Sequence, residues 1–324
     1  MKTRTLITRL FAGALLATVG VGAAAQNYPD KPIRMILPYA PGGITDLAAR
    51  LAAQHMSTQL GQQVMVENRG GAGTRIGVGQ VAKAEPDGYT ILYVNSVTHG
   101  SMPAMSKSLP FDPVKDFAPI APLFVYTSTL VCHPSVPWNS VKEMIAYAKA
   151  NPGAINNATA GPGTGHDLMG NLLNTMAGIK TTQVHYRGAG PALQDVLAGN
   201  AHCIFGGGDV KQYVVSGKLK ALATSGMKRD DNFPGVPTMD EAGVKGYDIS
   251  WWQGLAAPAK TPQPVLAKLT AAAQAALKEP DLQKRAGDLN LDVLSGGPAE
   301  LAKLINDDMA KYARIVKEAD IPLQ

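Results

Sequence analysis

The sequence predicts an α/β fold made of two lobes, and three features of the chain indicate it. Strand-like segments alternate with glycine-rich turns and helix-like segments, which is typical of a parallel α/β sheet. The alternation stops at a long apolar segment, residues 118–132, and then starts again. A second long segment, residues 247–259, can return the chain to the first lobe. We therefore expect two lobes, each with a mostly parallel sheet flanked by helices.

The first 25 residues have the features of an export signal. A basic start precedes an apolar run at residues 10–21, and Ala-Ala-Ala at residues 23–25 offers a cleavage site. The apolar run is too short to span a membrane. We expect a signal peptide at residues 1–25, a mature chain that begins at Gln26, and localisation in the periplasm.

Charge and length limit the classes of function. The signal carries three of the 30 basic residues and none of the 25 acidic ones, so the mature chain has 27 against 25 and a net charge of +2. No basic patch is interleaved with aromatic residues, so nucleic acid is not an expected partner. About 300 mature residues exceed one comfortable core. We expect one lobe from residues 26–125 and 250–324, and the other from residues 126–249.

The elements of the first lobe follow from local patterns. We predict, in chain order, a strand at 34–40, a helix at 45–60, a strand at 63–67, a helix that ends near 83, and a strand at 90–95. Leu47, Leu51 and Leu60 should form the buried face of the first helix. The tail should be helical, with a helix that starts at Pro298 and an apolar face from Leu301 to Val316.

The second lobe repeats the alternation. Ser140 and Glu143 form a capping box at the start of a helix that runs to about residue 149. The segments that follow are a strand at 154–160, a helix at 165–177, a strand at 181–186, a helix to 198, a strand at 202–205, a helix to 216 and a strand at 219–225. Cys132 and Cys203 each lie in a strand-like segment. An exported protein can form a disulfide, but two buried thiols are at least as well supported by the sequence.

The turn after the first strand is the first candidate binding element, and it contains Tyr39, Ala40, Pro41, Gly42, Gly43, Ile44, Thr45 and Asp46. Ligands of open α/β sheets lie at the carboxyl ends of strands. Glycine lets the backbone approach a ligand closely, and the helix start offers unpaired N–H groups and the positive end of its dipole. The turn is therefore either a carboxylate cradle or an ordinary turn in which Thr45 or Asp46 caps the helix.

Further candidates follow other strand ends. Ser96 and Thr98 can donate hydroxyl hydrogen bonds, with His99 beside them supporting the loop, and Arg75 is more simply a solvated side chain than an anion ligand. In the second lobe the candidates are Gly163, Thr164, Gly165, His166, Arg187, Gly188 and Asp209. Asp209 either accepts a hydrogen bond from an ammonium or hydroxyl group, or caps the next helix; the sequence favours the cap.

Ordered motifs along nearly the whole mature chain match a known family, among them YPDKPIR (28–34), PYAPGGITD (38–46), HYRGAGPAL (185–193) and WQGLAAPAKTP (252–262). The chain resembles the substrate-binding component of tripartite tricarboxylate transporters, also called the Bug family. The resemblance implies a Venus-flytrap fold like that of type II periplasmic binding proteins. It also implies a small carboxylate ligand and delivery to integral-membrane permease subunits. Separately, we expect a monomer without cofactor or metal.

The sequence departs from the family pattern at Ile44, at His166-Asp167 and at residues 206–208. The last of these, three glycines, replaces a stretch that usually opens with Asp, which argues against an amino-acid ligand. We hypothesise a carboxylate with an apolar or aromatic body, for which four aromatic residues are expected near the cleft or hinge: Tyr39, Tyr126, Trp251 and Trp252.

Two other functions remain alternatives. A binding protein of this kind can serve sensing without a dedicated permease, and the sequence does not separate the two roles. A Rossmann-like enzyme also has glycine turns after strands. However, the chain contains no complete G-x-G-x-x-G, G-x-S-x-G or H-E-x-x-H motif.

Overall fold

The computed structural model describes residues 28–162, 164–318 and 323. The predicted signal peptide, Gln26 and the candidate residue Gly163 lie outside the described residues. None of the helices in the described ranges combines the length and the apolar character needed to cross a membrane.

The first sheet contains strands from the N-terminal and C-terminal parts of the chain. In the sequence, the strands of the second sheet lie between these two parts. Its order is β11-β4-β10-β3-β1-β2. In chain order the strands are β1 (Ile33–Leu37), β2 (Val64–Asn68), β3 (Thr90–Asn95), β4 (Phe117–Thr127), β10 (Ser250–Pro258) and β11 (Asp292–Val293).

The second sheet is formed by the middle of the chain. Its order is β7-β6-β8-β5-β9. The strands are β5 (Thr129–Cys132), β6 (Asn156–Thr159), β7 (Thr182–His185), β8 (Cys203–Gly206) and β9 (Lys220–Thr224). The two sheets with their helices form the two lobes of an α/β fold, as predicted. The boundaries at residues 125/126 and 249/250 stay predictions.

Helices flank both sheets. In the first part of the chain they are α1 (Ile44–Leu60), α2 (Arg75–Ala82), a π-helical turn (Val97–Ser101) and α3 (Met102–Met105). Beside the second sheet they are α4 (Val141–Ala150), α5 (Gly165–Ala177), α6 (Ala189–Leu197), a 3₁₀ turn (Gly208–Val210) and α7 (Lys211–Val215). The tail forms α8 (Gln263–Leu277), α9 (Pro280–Asp288) and α10 (Pro298–Glu318).

Both sheets are mixed, so the prediction of mostly parallel sheets is wrong. In the first sheet β1 runs parallel to β2 and β3, but β10 is antiparallel to β3 and β4, and β11 to β4. In the second sheet β6 is parallel to β7 and β8, but β5 is antiparallel to β8 and β9. The crossings are the cause. The chain leaves the first lobe along β4 and returns to it along the neighbouring strand β10, so these two strands run in opposite directions.

Each sheet is covered on both faces, as strand periodicity requires. In β1, Ile33, Met35 and Leu37 pack beneath α1 and α8, whereas Ile36 packs on the opposite face with Val78 of α2. The C-terminal helix bridges the lobes: its first half packs in the first lobe, and its second half packs against the core of the second.

Two sequence predictions are corrected by the packing. Leu47 is 44% exposed, whereas Leu51 is 2% exposed, because the buried face of α1 is formed by residues 48, 49, 51–53 and 56. Cys132 and Cys203 form a disulfide, not two thiols. They lie opposite each other on β5 and β8, where side chains are within bonding reach. The sequence cannot show which strands pair across 71 residues.

Candidate functional site

The carboxyl ends of the parallel strands in the two sheets meet at the crossing between the lobes. β4 runs in the same direction as β3, because β10 is antiparallel to both. It ends at Thr127, and only Ser128 separates it from Thr129 at the start of β5. Thr129 pairs with Gly206 at the end of β8. The turns that follow β1, β2 and β3 therefore lie on the same side as those that follow β6, β7 and β8.

The turn after β1 presents unpaired backbone donors at the start of a 17-residue helix. Residues 40–43 are exposed, and Gly43 is the N-cap without a side-chain capping bond. The N–H groups of Gly43, Ile44 and Thr45 donate to no group in the described part of the chain. Three such donors at the positive end of a helix dipole are suited to an anion.

Asp46 holds this turn in place from beneath. Its buried carboxylate accepts the N–H of Gly42 at 3.1 Å and the side-chain amide of Asn68 at 2.9 Å, and pairs with Arg50 at 3.0 Å. Burial would raise the pKa of Asp46, but the hydrogen bonds from Arg50, Asn68 and Gly42 outweigh it and lower the pKa. Asp46 therefore fixes the turn that precedes the helix, and neither it nor Thr45 is the N-cap.

Asn95, at the end of β3, is a supporting residue that the sequence analysis missed. Its side-chain oxygen accepts the N–H groups of Val97 and Thr98 at 3.1 and 3.0 Å, and its amide nitrogen donates to the Tyr39 hydroxyl at 2.9 Å. Asn95 thus joins the turn after β3 to the turn after β1. A polar residue at the end of an apolar strand was the available signal.

The predicted hydroxyl donors after β3 lie beneath the surface. Ser96 and Thr98 are fully buried. The Thr98 hydroxyl interacts with the backbone of Asn95 and lies 3.0 Å from Nδ1 of His99. Burial lowers the pKa of His99 to about 3, so the ring is neutral. These three residues shape the loop and do not face the space between the lobes. Arg75 donates to the Ser106 hydroxyl at 2.8 Å.

Tyr126 lies where the two lobes meet. It packs against the cores of both lobes. Burial raises the pKa of its hydroxyl, as do the nearby Tyr39 and Asp209, while a hydrogen bond with Thr45 opposes the rise. Tyr126 therefore links the first cradle to the turn after β8.

The start of α5 meets the crossing at Trp251. Thr164 is the N-cap, but its hydroxyl donates to the Gly161 carbonyl at 2.7 Å and does not cap the helix. A Cβ atom on Gly165 would lie 2.7 Å from the indole ring of Trp251, whose N–H donates to the Ser128 hydroxyl at 3.0 Å. His166 follows, and burial lowers its pKa to about 4.

The start of α6 offers a second set of donors. Gly188, with a φ of 134°, is the N-cap, and no side chain caps the helix. The N–H groups of Ala189 and Gly190 have no acceptor within the described residues. The exposed guanidinium of Arg187 also has no hydrogen-bond or ion-pair partner there. This turn can bind an anion with charge as well as dipole.

Asp209 is held by its own turn. Loss of solvent around the carboxyl raises its pKa, and the N–H groups of Asp209, Gly207 and Val210 partly offset that rise. The net effect is a raised pKa, although Asp209 remains exposed to water. The carboxylate is thus oriented by backbone donors. The N-caps are Gly207 for the 3₁₀ turn and Val210 for α7, so Asp209 is not the helix cap that the sequence favoured.

Two aromatic or apolar residues point away from the space between the lobes. Trp252 is buried in the first lobe, where its N–H donates to Asp308 at 2.7 Å. Ile44 is half-buried against the core beneath α1. No group of three or more His, Cys, Asp or Glu residues within the described ranges is placed to hold a metal ion.

Comparison with known proteins gives a consistent result. The model of the tripartite tricarboxylate transporter family receptor matches residues 48–321. A protein encoded in the TAR-I ttuE-ttuC' intergenic region of Agrobacterium vitis is 34% identical over 98% of this chain and 94% of its own length. Protein BugT of Bordetella pertussis is 32% identical, with 98% of this chain and 99% of BugT covered.

Solved structures agree with these relatives. The periplasmic binding protein BugD has a TM-score of 0.82 and 36% identity, with 92% of this chain and 100% of BugD covered. MatC of Rhodopseudomonas palustris, solved with malate, has a TM-score of 0.81 and 33% identity, covering 89% and 100%. An R. palustris protein solved with adipate has a TM-score of 0.84 and 28% identity, covering 91% and 99%.

Proposed function

Since the chain belongs to the tripartite tricarboxylate transporter receptor family, we propose that it captures a small organic carboxylate between its lobes and delivers it to the permease of such a transporter. Proteins of this family are solute-binding proteins and not enzymes. The observation that carries the proposal is the trio of unpaired N–H groups at Gly43, Ile44 and Thr45.

The energetics favour binding by both lobes. Micromolar affinity needs about 8 kcal/mol net, and association costs at least ~4 kcal/mol. A charge-assisted hydrogen bond contributes roughly 1.5–3 kcal/mol, and a helix terminus adds ~0.3–2 kcal/mol. The donors of the α1 cradle alone contribute less than the sum of the net binding free energy and the cost of association. The donors at Arg187, Ala189 and Gly190 supply the remainder when the lobes close on the ligand.

The donor arrangement also suggests the class of ligand. Two sets of donors, one on each lobe, suit a carboxylate at each end of one molecule, and two related proteins were solved with malate and adipate. Tyr39 and Tyr126 offer aromatic surface for an apolar or aromatic body. An amino acid fits less well, because Asp209 is already oriented by backbone donors and residues 206–208 bring no carboxylate.

The candidate residues divide into two groups in this proposal. The groups that contact the ligand belong to residues 39–45, to residues 163–166, and to Arg187 and Gly188. Asp46, Ser96, Thr98 and Asp209 support these turns.

We also propose that the protein works as a monomer in the periplasm, after cleavage near Ala25. Periplasmic fractions should then contain a chain that begins at Gln26, and an intact N-terminal Met in those fractions would contradict the proposal.

A thermal-shift screen tests the proposed ligand class. The mature protein is heated with malate, adipate, citrate, aromatic mono- and dicarboxylates, glutamate and aspartate. We expect at least one carboxylate to raise the melting temperature, with di-acids above amino acids. Preference for glutamate or aspartate would refute the proposed class, and no response to any carboxylate would refute carboxylate capture itself.

A further inference from the structure

Beside the hinge, a residue of one lobe lies close to a residue of the other. Gly208 begins the turn after β8 in the second lobe, and Asn290 lies between α9 and β11 in the first. A Cβ atom placed on Gly208 would overlap Nδ2 of Asn290 and would lie 3.0 Å from its Cγ and 3.1 Å from its Cβ. A change of side-chain rotamer would move Nδ2 and Cγ of Asn290, but its Cβ would remain at 3.1 Å, which is tighter than an ordinary van der Waals contact.

Both sides of this contact are held by their own surroundings. Asn290 adopts a left-handed φ of 56°, and its N–H donates to the Gly287 carbonyl at 2.9 Å. The next residue, Leu291, is buried in the first core. On the other side Val210 is fully buried and packs directly against Gly206. Close-packed surroundings of this kind resist small displacements.

We propose that Gly208 and Asn290 form the stop that sets the angle between the two lobes. Glycine at position 208 leaves the room that Asn290 fills, so the lobes approach as closely as this structure shows. The pair acts as a positioning element, since it touches the opposite lobe and not the ligand. The inference rests on the proposed function only for its ligand-affinity measurement.

Gly208→Ala is the direct test, because Gly208 does not have the positive φ that would strain alanine. The added methyl group should hold the lobes apart. Small-angle scattering should show that the variant does not reach the most compact form of the parent, whether that form occurs without ligand or with malate or adipate. Affinity for the dicarboxylate that the parent binds should fall roughly tenfold or more.

Two variants make the test specific. Asn290→Gly keeps the left-handed backbone and removes the side chain, so Gly208→Ala/Asn290→Gly should restore both the compact form and the affinity. Gly287→Ala adds a methyl group three residues from Asn290, where a Cβ meets no atom within 4 Å, and should match the parent.

The results separate this inference from the proposed function. A parent that binds no carboxylate refutes the function, and the scattering comparison then still decides the inference. A Gly208→Ala variant as compact as the parent in every condition would overturn the stop. A double variant that stays as open as the single one would overturn it as well.

Discussion

Changing Gly43 to Val should weaken carboxylate binding strongly without unfolding the protein. Gly43 is the exposed N-cap of α1, with φ −83° and ψ 171°. This extended conformation is open to branched residues. A Cβ atom there meets no other atom within 4 Å. The valine side chain would instead occupy the mouth of the cradle, beside the unpaired N–H groups of Gly43, Ile44 and Thr45.

The size of the effect follows from the donors that the ligand would lose. Two charge-assisted hydrogen bonds at roughly 1.5–3 kcal/mol each amount to about 3–6 kcal/mol. At about 1.4 kcal/mol per factor of ten, affinity should fall at least 100-fold. The free energy of unfolding should change by only about 0.5 kcal/mol, because the site is on the surface and the backbone accepts valine.

Calorimetry and urea denaturation on the same preparations measure both quantities. Gly287→Val is the matched control, because a Cβ there also meets open space and the residue lies outside the cradle. The control should bind as the parent does. Parental affinity in a folded Gly43→Val variant would refute the cradle, because a ligand bound at these N–H groups would have to be displaced by the valine side chain.

Three further predictions follow from the same structure. Trp251 is the tryptophan that contacts both α5 and the crossing. A ligand-induced change in fluorescence should therefore vanish in Trp251→Phe and persist in Trp138→Phe. A change that persists in Trp251→Phe would contradict closure of the lobes at Trp251. Replacing Cys132 and Cys203 by Ala should lower the free energy of unfolding by about 4 kcal/mol, because the disulfide spans 71 residues; urea denaturation with an unchanged midpoint would argue against it. Burial lowers the pKa of His166 from 6.5 to about 4. The contribution of this residue to the free energy of unfolding is therefore complete above pH 6.5 and is lost as the pH falls toward 4. An NMR titration midpoint near the ordinary value would refute this burial.

The sequence predicted those parts of the fold that depend on local patterns. β3 and α5 have the predicted bounds, because an apolar run and a helical period between glycine turns are both readable within a few residues. The two long segments contain β4, β5 and β10, and the lobe boundaries inferred from them stay predictions. The sequence did not predict which neighbouring strands run antiparallel, because this depends on where each crossing strand inserts among strands distant in the chain.

The candidate site was likewise predictable only where it depends on local sequence. The glycine turn at residues 41–43 and the helix start after it were visible in the sequence. The roles of Asn95, Tyr126 and Asn290 were not, because each arises from contacts between segments far apart in the chain. The hydroxyls of Ser96 and Thr98 were expected to donate hydrogen bonds to the ligand, but the π-helical turn after β3 buries them.

Comparing a carboxylic acid with its methyl ester tests the central claim most directly. The ester keeps the shape of the body but removes the negative charge that the N–H groups of α1 and α6 and the Arg187 guanidinium are proposed to bind. Calorimetry should use the best ligand from the thermal-shift screen and its mono- and diesters. Capture by both lobes predicts at least a tenfold loss of affinity for each carboxylate esterified. Equal affinity for the acid and its diester would contradict the account.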